Sequence, residues 1–230
     1  MKKLLSYADI LVAVCGIGGA ALRVWMLSDG TDSKGLYPAF HPGWVGLLLL
    51  TAAVFAFLWF VSRQECPIHP GKPVFHGVGA FVAAVALVQF GFTRLESTPP
   101  IVTIGAVLCL AAGVSLVLWG VATVQGRKPY ALSHALPCLA FALLMFLEAR
   151  GASRTTELSR YVLQLAAYAA TAIAFYHQWG MDVQAGDGKK CLFWRLCALY
   201  LCLIAAPGAY PLLFSGMAIY HLLGDRNVGE

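Results

Sequence analysis

The stretch CLFWRLCALYLCLIAAPGAYPLLFSGMAIYHLL, residues 191–223, decides the fold. It runs for 33 residues with Arg195 as its one formal charge. Wound as a single helix it would be about 50 Å long, against a hydrocarbon core of about 30 Å. It must break, and APGAYP at residues 206–211 supplies two prolines and a glycine for the purpose. The C-terminal end of the chain is therefore expected to fold back on itself as two short helices.

Working outward from this stretch, apolar runs recur near residues 5–28, 43–63, 74–93, 100–124, 131–149 and 159–181, separated by short connections carrying Gly, Pro or charge. With the broken final run they predict an all-α fold, a polytopic transmembrane helical bundle of eight segments. The alternative is seven or fewer full spans with a re-entrant C-terminal hairpin. The chain is 60% hydrophobic and 12% charged, with mean hydropathy +0.74, which sets it apart from soluble domains. Its longest polar interruptions are loop-sized, so residues 1–230 read as a single transmembrane domain. Asp9 interrupts the first apolar run, which continues to Trp25 and Met26, so that segment reads as a retained helix rather than a cleaved signal.

Lysines and arginines of short loops set the orientation. A cytoplasmic N-terminus puts Lys2, Lys3, Arg63, Lys72, Arg127, Lys128, Lys189, Lys190 and Arg195 inside, against Lys34, Arg94, Arg150, Arg154 and Arg160 outside. The expected location is the plasma membrane, as a multi-pass protein with the lipid bilayer as its main partner. The net charge of +5 fits such loops, and no basic patch interleaved with aromatics suggests nucleic acid. The seven cysteines contain no Cys-x-x-Cys and read as buried thiols.

His-Pro-Gly occurs twice, at His41 and His69. The threading puts the copies on opposite sides of the membrane, so they read as independent turns rather than shared ligands. A second set, His76, His134, His177 and His221, maps to the cytoplasmic third of the bundle, where converging imidazoles can hold a metal ion. No His-x-x-x-His or Glu-x-x-His pair places two of them on one helical face, and no cofactor is expected.

The first helix carries a stripe of Asp9, Gly16 and Arg23 at seven-residue spacing, with Ala13 and Ala20 between. Ionisable groups in such a segment face protein or water, so this face should turn inward. By helical rise Asp9 and Arg23 stand about 21 Å apart and cannot pair. Arg23 should instead meet a carboxylate or an anionic ligand, and Arg23, Asp29, His41, Glu96 and Glu148 form a candidate substrate-binding vestibule on the outer side.

The stretch LRVWMLSDGTDSKGL…HPGW, from Leu22 to Trp44, resembles the start of a family of small bacterial polytopic membrane proteins that is itself uncharacterised. The resemblance covers the first helix, its outer loop and the entry to the second. It implies a membrane bundle and no activity.

Three function classes follow. A small-molecule permease or membrane subunit of a transport system accounts for an almost wholly embedded chain with inward polar residues. A non-catalytic accessory or assembly protein accounts for how few those residues are. A membrane-embedded lipid hydrolase or transferase would use the cytoplasmic-side histidines. No P-loop motif is present, so an ATP-driven role requires a partner ATPase or other membrane subunits.

Overall fold

The computed structural model describes residues 7–29, 41–63, 73–95, 99–128, 130, 132–152 and 158–224, apart from the side chains of 151, 152 and 158–160. Eight helices make up the described residues: α1 (Ala8–Ser28), α2 (Pro42–Arg63), α3 (Pro73–Arg94), α4 (Pro100–Val124), α5 (Ala135–Ala152), α6 (Leu158–Asp182), α7 (Gly188–Ala205) and α8 (Pro211–Leu223). Helices α1 to α4 are long and apolar enough to cross a membrane. Their outward side chains stay apolar, as with Leu49 (67% exposed) on α2 and Phe92 (61%) on α3. Such a surface suits lipid rather than water.

Prolines punctuate the chain where a missing N–H costs least. Pro42, Pro73, Pro100 and Pro211 each open a helix, in the first turn, where backbone donors have no intrahelical acceptor. At the other end of α4, Gly126 takes a positive φ of 65°, and Arg127 N–H closes on the Ala122 carbonyl at 2.9 Å. That left-handed cap favours glycine. Asp187 caps α7 by accepting from the Lys189 N–H at 3.0 Å.

The break inside residues 191–223 is present. Helix α7 stops at Ala205, and α8 starts at Pro211 and runs back antiparallel to it. The direction follows from Arg195, near the start of α7, which bonds the Gly224 carbonyl just past the end of α8, and each helix has its own neighbours. Arg195 reaches Asp9 near the start of α1, whereas Leu203 and Ile204 lie against Gly16 and Gly19 further along it, so α7 runs parallel to α1. Tyr210 meets Arg94 at the end of α3, whereas Tyr220 lies against Gly79 near its start, so α8 runs antiparallel to α3.

This α7–α8 hairpin is the most enclosed part of the bundle. Leu196, Cys197, Ala198, Tyr200, Cys202, Ile204 and Ala205 are buried on α7, as are Phe214, Met217 and Ala218 on α8. Helix α7 packs against α1, α2, α6 and α8, and α8 packs mainly against α3 and α7. Small residues set the close approach of α3 and α4: a Cβ on Gly91 would come 2.9 Å from the Ala106 carbonyl, and one on Gly113 3.0 Å from the Ala84 carbonyl.

The helix boundaries depart from the sequence reading chiefly at α5, expected from residue 131 and observed from Ala135. The segment before it dips into the bundle, where Ser115 Oγ donates to the Ser133 carbonyl at 3.0 Å. His134 therefore sits just ahead of the helix rather than one turn inside it.

Candidate functional site

Two buried polar networks occupy opposite ends of the hairpin. At its turn, Arg23 is buried and donates from Nη1 to the Ile204 carbonyl at 3.0 Å. Ile204 lies in the last turn of α7, whose carbonyls lack intrahelical donors, so a guanidinium there satisfies an acceptor and meets the negative end of the helix dipole. Gly208 leaves the room for it: a Cβ there would lie 2.9 Å from Arg23 Nη2 and 2.7 Å from Gln164 Nε2. On the other flank of the turn, Glu148 Oε1 accepts from Arg94 at 2.9 Å and from the Tyr210 hydroxyl at 2.8 Å. Arg94 also contacts the Tyr210 hydroxyl and stands 4.6 Å over the Phe90 ring.

At the foot of the hairpin, His134 is fully buried between two partners. Nδ1 lies 2.5 Å from Asp182 Oδ2, and Nε2 lies 2.7 Å from the Tyr220 hydroxyl. A carboxylate on one ring nitrogen and a hydroxyl on the other fix the imidazole in place and form a chain along which a proton can shift. Trp119 meets the ring edge-on at 4.8 Å, and Phe175 stacks on it at 5.8 Å. Nearby, Arg195 pairs with Asp9 at 3.1 Å and also bonds the Gly224 carbonyl.

The inward stripe on α1 is present. Gly16 and Arg23 are buried, Asp9 points to Arg195, and a Cβ on Gly16 would clash with Leu203 at 2.6 Å. The vestibule is a different matter. Arg23 and Glu148 flank the hairpin turn through separate partners, while Asp29 pairs with His41 at 3.3 Å where α1 gives way to α2. Of the carboxylates expected near Arg23, Asp29 bonds His41 and Glu148 bonds Arg94. Glu96 and Asp32 lie outside the described residues.

His41 accepts from the Gly43 N–H through Nδ1 at 3.0 Å, which closes the turn into α2. His69, the other His-Pro-Gly histidine, and Cys66 lie outside the described residues.

The four histidines read as metal candidates do not form one ligand set. His76, His134 and His221 gather around Trp119, Phe175 and Tyr220, but both ring nitrogens of His134 are taken. His177 stands apart, against Tyr176 and beside an open groove of about 320 Å³ that also touches Asp187 and Lys190. Among the described residues, no group of three or more His, Cys, Asp or Glu side chains is arranged to hold a metal ion.

The sequence reading missed Asp182, Tyr210, Tyr220 and the inward role of Arg195. Arg195 had a signal, since a lone arginine amid CLFW and LCALYLCL rarely faces lipid. The tyrosines had none, because their partners lie on distant helices. The fold and these networks define an all-helical, membrane-type bundle with buried ionisable groups. No family model, no curated protein and no solved structure matches the chain.

Proposed function

We propose that this chain crosses the plasma membrane eight times with its N-terminus in the cytoplasm, and acts as a small-molecule permease or the membrane subunit of a transport system. The observation that carries this reading is the outer end of the α7–α8 hairpin, where Arg23, Gln164 and Gly208 gather at the turn. A helix end whose free carbonyl meets a buried guanidinium beside a polar amide gives a fixed charge at the mouth of a helical bundle, where a solute can be received.

Helix α8, with 13 residues, is only about 20 Å long. Yet its neighbours on α3 extend from Gly79 to Arg94, most of a helix long enough to span. That favours a full crossing over a re-entrant hairpin. The loop charges still favour a cytoplasmic N-terminus once the buried Arg195 and the ion-paired Arg94 are removed from the count, one from each side. The resemblance of residues 22–44 to small bacterial polytopic membrane proteins fits the same picture, and an ATP-driven form of it needs a separate ATPase.

A second reading, an accessory or assembly protein, draws on a different feature. An apolar groove of about 390 Å³ runs between α3 and α4, lined by Gly77, Phe81, Gly120 and Val121, and glycine-floored grooves seat neighbouring helices. A third reading, a lipid hydrolase or transferase, draws on the cytoplasmic-side histidines, of which His134 is held between Asp182 and the Tyr220 hydroxyl.

The test is reconstitution into liposomes, followed by uptake of pooled organic anions, amino acids and cations. At least one pool should enter, and Arg23→Gln should reduce its entry while leaving the folded protein intact. Uptake absent both for the protein alone and for the protein with its co-purified partners would sink the transport reading and leave the accessory one.

A further inference from the structure

A small cavity of about 20 Å³ lies at the foot of the hairpin, lined by His76, Trp119, Gln178, Arg195, Tyr220 and His221 among others. That volume suits one small occupant, of about the size of a water molecule or a halide. We propose that it is a binding site for a single small anion of halide size.

His221 is 2% exposed, and among the described residues neither of its ring nitrogens has a hydrogen-bond partner. The Trp119 indole N–H, which can only donate, is likewise buried and unpartnered. Gln178 accepts from the Cys191 thiol through Oε1 at 3.3 Å, which turns its amide NH2 the other way. Arg195 lines the cavity while holding Asp9 and the Gly224 carbonyl, so it brings positive charge with its position fixed. Among the described residues no carboxylate lines the cavity, and Asp9 is held by Arg195 at 3.1 Å.

Donors thus outnumber acceptors around one water-sized space. A water molecule accepts two hydrogen bonds and must donate two in turn, for which this lining has few takers. A halide accepts from every N–H that reaches it and donates to none. A cation would meet N–H donors and the Arg195 guanidinium, with no carboxylate in the described lining to offset its desolvation. The site is independent of the transport reading, since it uses no residue of the hairpin turn.

The test uses chloride as the probe. Thermal unfolding of the detergent-purified protein is followed in sodium chloride and in sodium gluconate at equal ionic strength, with iodide as a size control. Chloride should raise the midpoint saturably, by roughly 2 °C or more, and iodide should do less. Trp119→Phe keeps the ring contacts but removes the N–H, and should weaken the apparent chloride affinity by about tenfold or more. Gln178→Met, at a less buried position, is a second variant expected to weaken it should Trp119→Phe not fold. Equal midpoints in chloride and gluconate overturn the proposal, with water then the occupant. So does a rise that never saturates, or one that both variants leave unchanged.

Discussion

Replacing Glu148 with methionine isolates what the ion pair at the hairpin turn contributes. Glu148 accepts from Arg94 at 2.9 Å and from Tyr210 at 2.8 Å, and the Arg94 and Glu148 side chains are only 19% and 11% exposed. Removing the carboxylate strands a guanidinium in an apolar setting, and breaking a buried pair in this way costs about 3–5 kcal/mol. Arg94 keeps the faces of Phe90 and Tyr210, at 4.6 and 4.8 Å, and each such contact offsets about 0.5–1 kcal/mol. The expected loss is therefore about 1–4 kcal/mol, or about 2–16 °C in the unfolding midpoint. Arg94→Met strands the carboxylate instead and should cost a comparable amount. The double variant removes both charges and should cost clearly less than the two single losses added together. Thermal unfolding of all four proteins in one detergent reads the cycle. Losses that simply add would refute the view that the pair acts as a unit, and so would a Glu148→Met variant within about 0.5 kcal/mol of the parent.

Two glycine substitutions and their control test the packing. Gly91→Ala pushes a methyl to 2.9 Å from the Ala106 carbonyl, a backbone atom that cannot swing aside, and should cost about 1–3 kcal/mol in unfolding measurements. Gly18→Ala meets nothing within 4 Å and should be neutral or stabilising by up to about 1 kcal/mol. Gly208→Ala meets Gln164, Arg23 and the Ala205 carbonyl at 2.7 to 3.0 Å. It should displace the Arg23 guanidinium from Ile204, seen as faster modification of Arg23 by phenylglyoxal.

Helix positions were legible in the sequence because the apolar runs are interrupted by proline, and proline acts on the backbone locally. Pro42, Pro73, Pro100 and Pro211 each open a helix within a residue or two of where the runs begin. The same local reasoning placed the break at residues 206–211 and turned the Gly16 and Arg23 face inward. Partners were another matter. The contact described for Arg23 is to a carbonyl freed by the hairpin break 181 residues away, which no local pattern announces. His134 owes its fixed ring to Asp182 and Tyr220, on helices α6 and α8, and no spacing within the chain encodes that meeting. The histidine set failed as one cluster for a geometric reason: His177 lies on the face of α6 turned toward Asp187 and Lys190, away from Phe175.

The measurement that bears most directly on the account is the sidedness of the hairpin. Ala209→Cys, at an exposed position in the turn, and Lys190→Cys, in the exposed first turn of α7, are placed singly in a background whose native cysteines are replaced by alanine. Intact cells are treated with a membrane-impermeant maleimide before and after permeabilisation. A hairpin that crosses the bilayer predicts that Cys at 209 reacts from outside in intact cells, while Cys at 190 reacts only once the membrane is opened. Labelling of both from the same side would contradict the crossing, and the reverse pattern would invert the orientation.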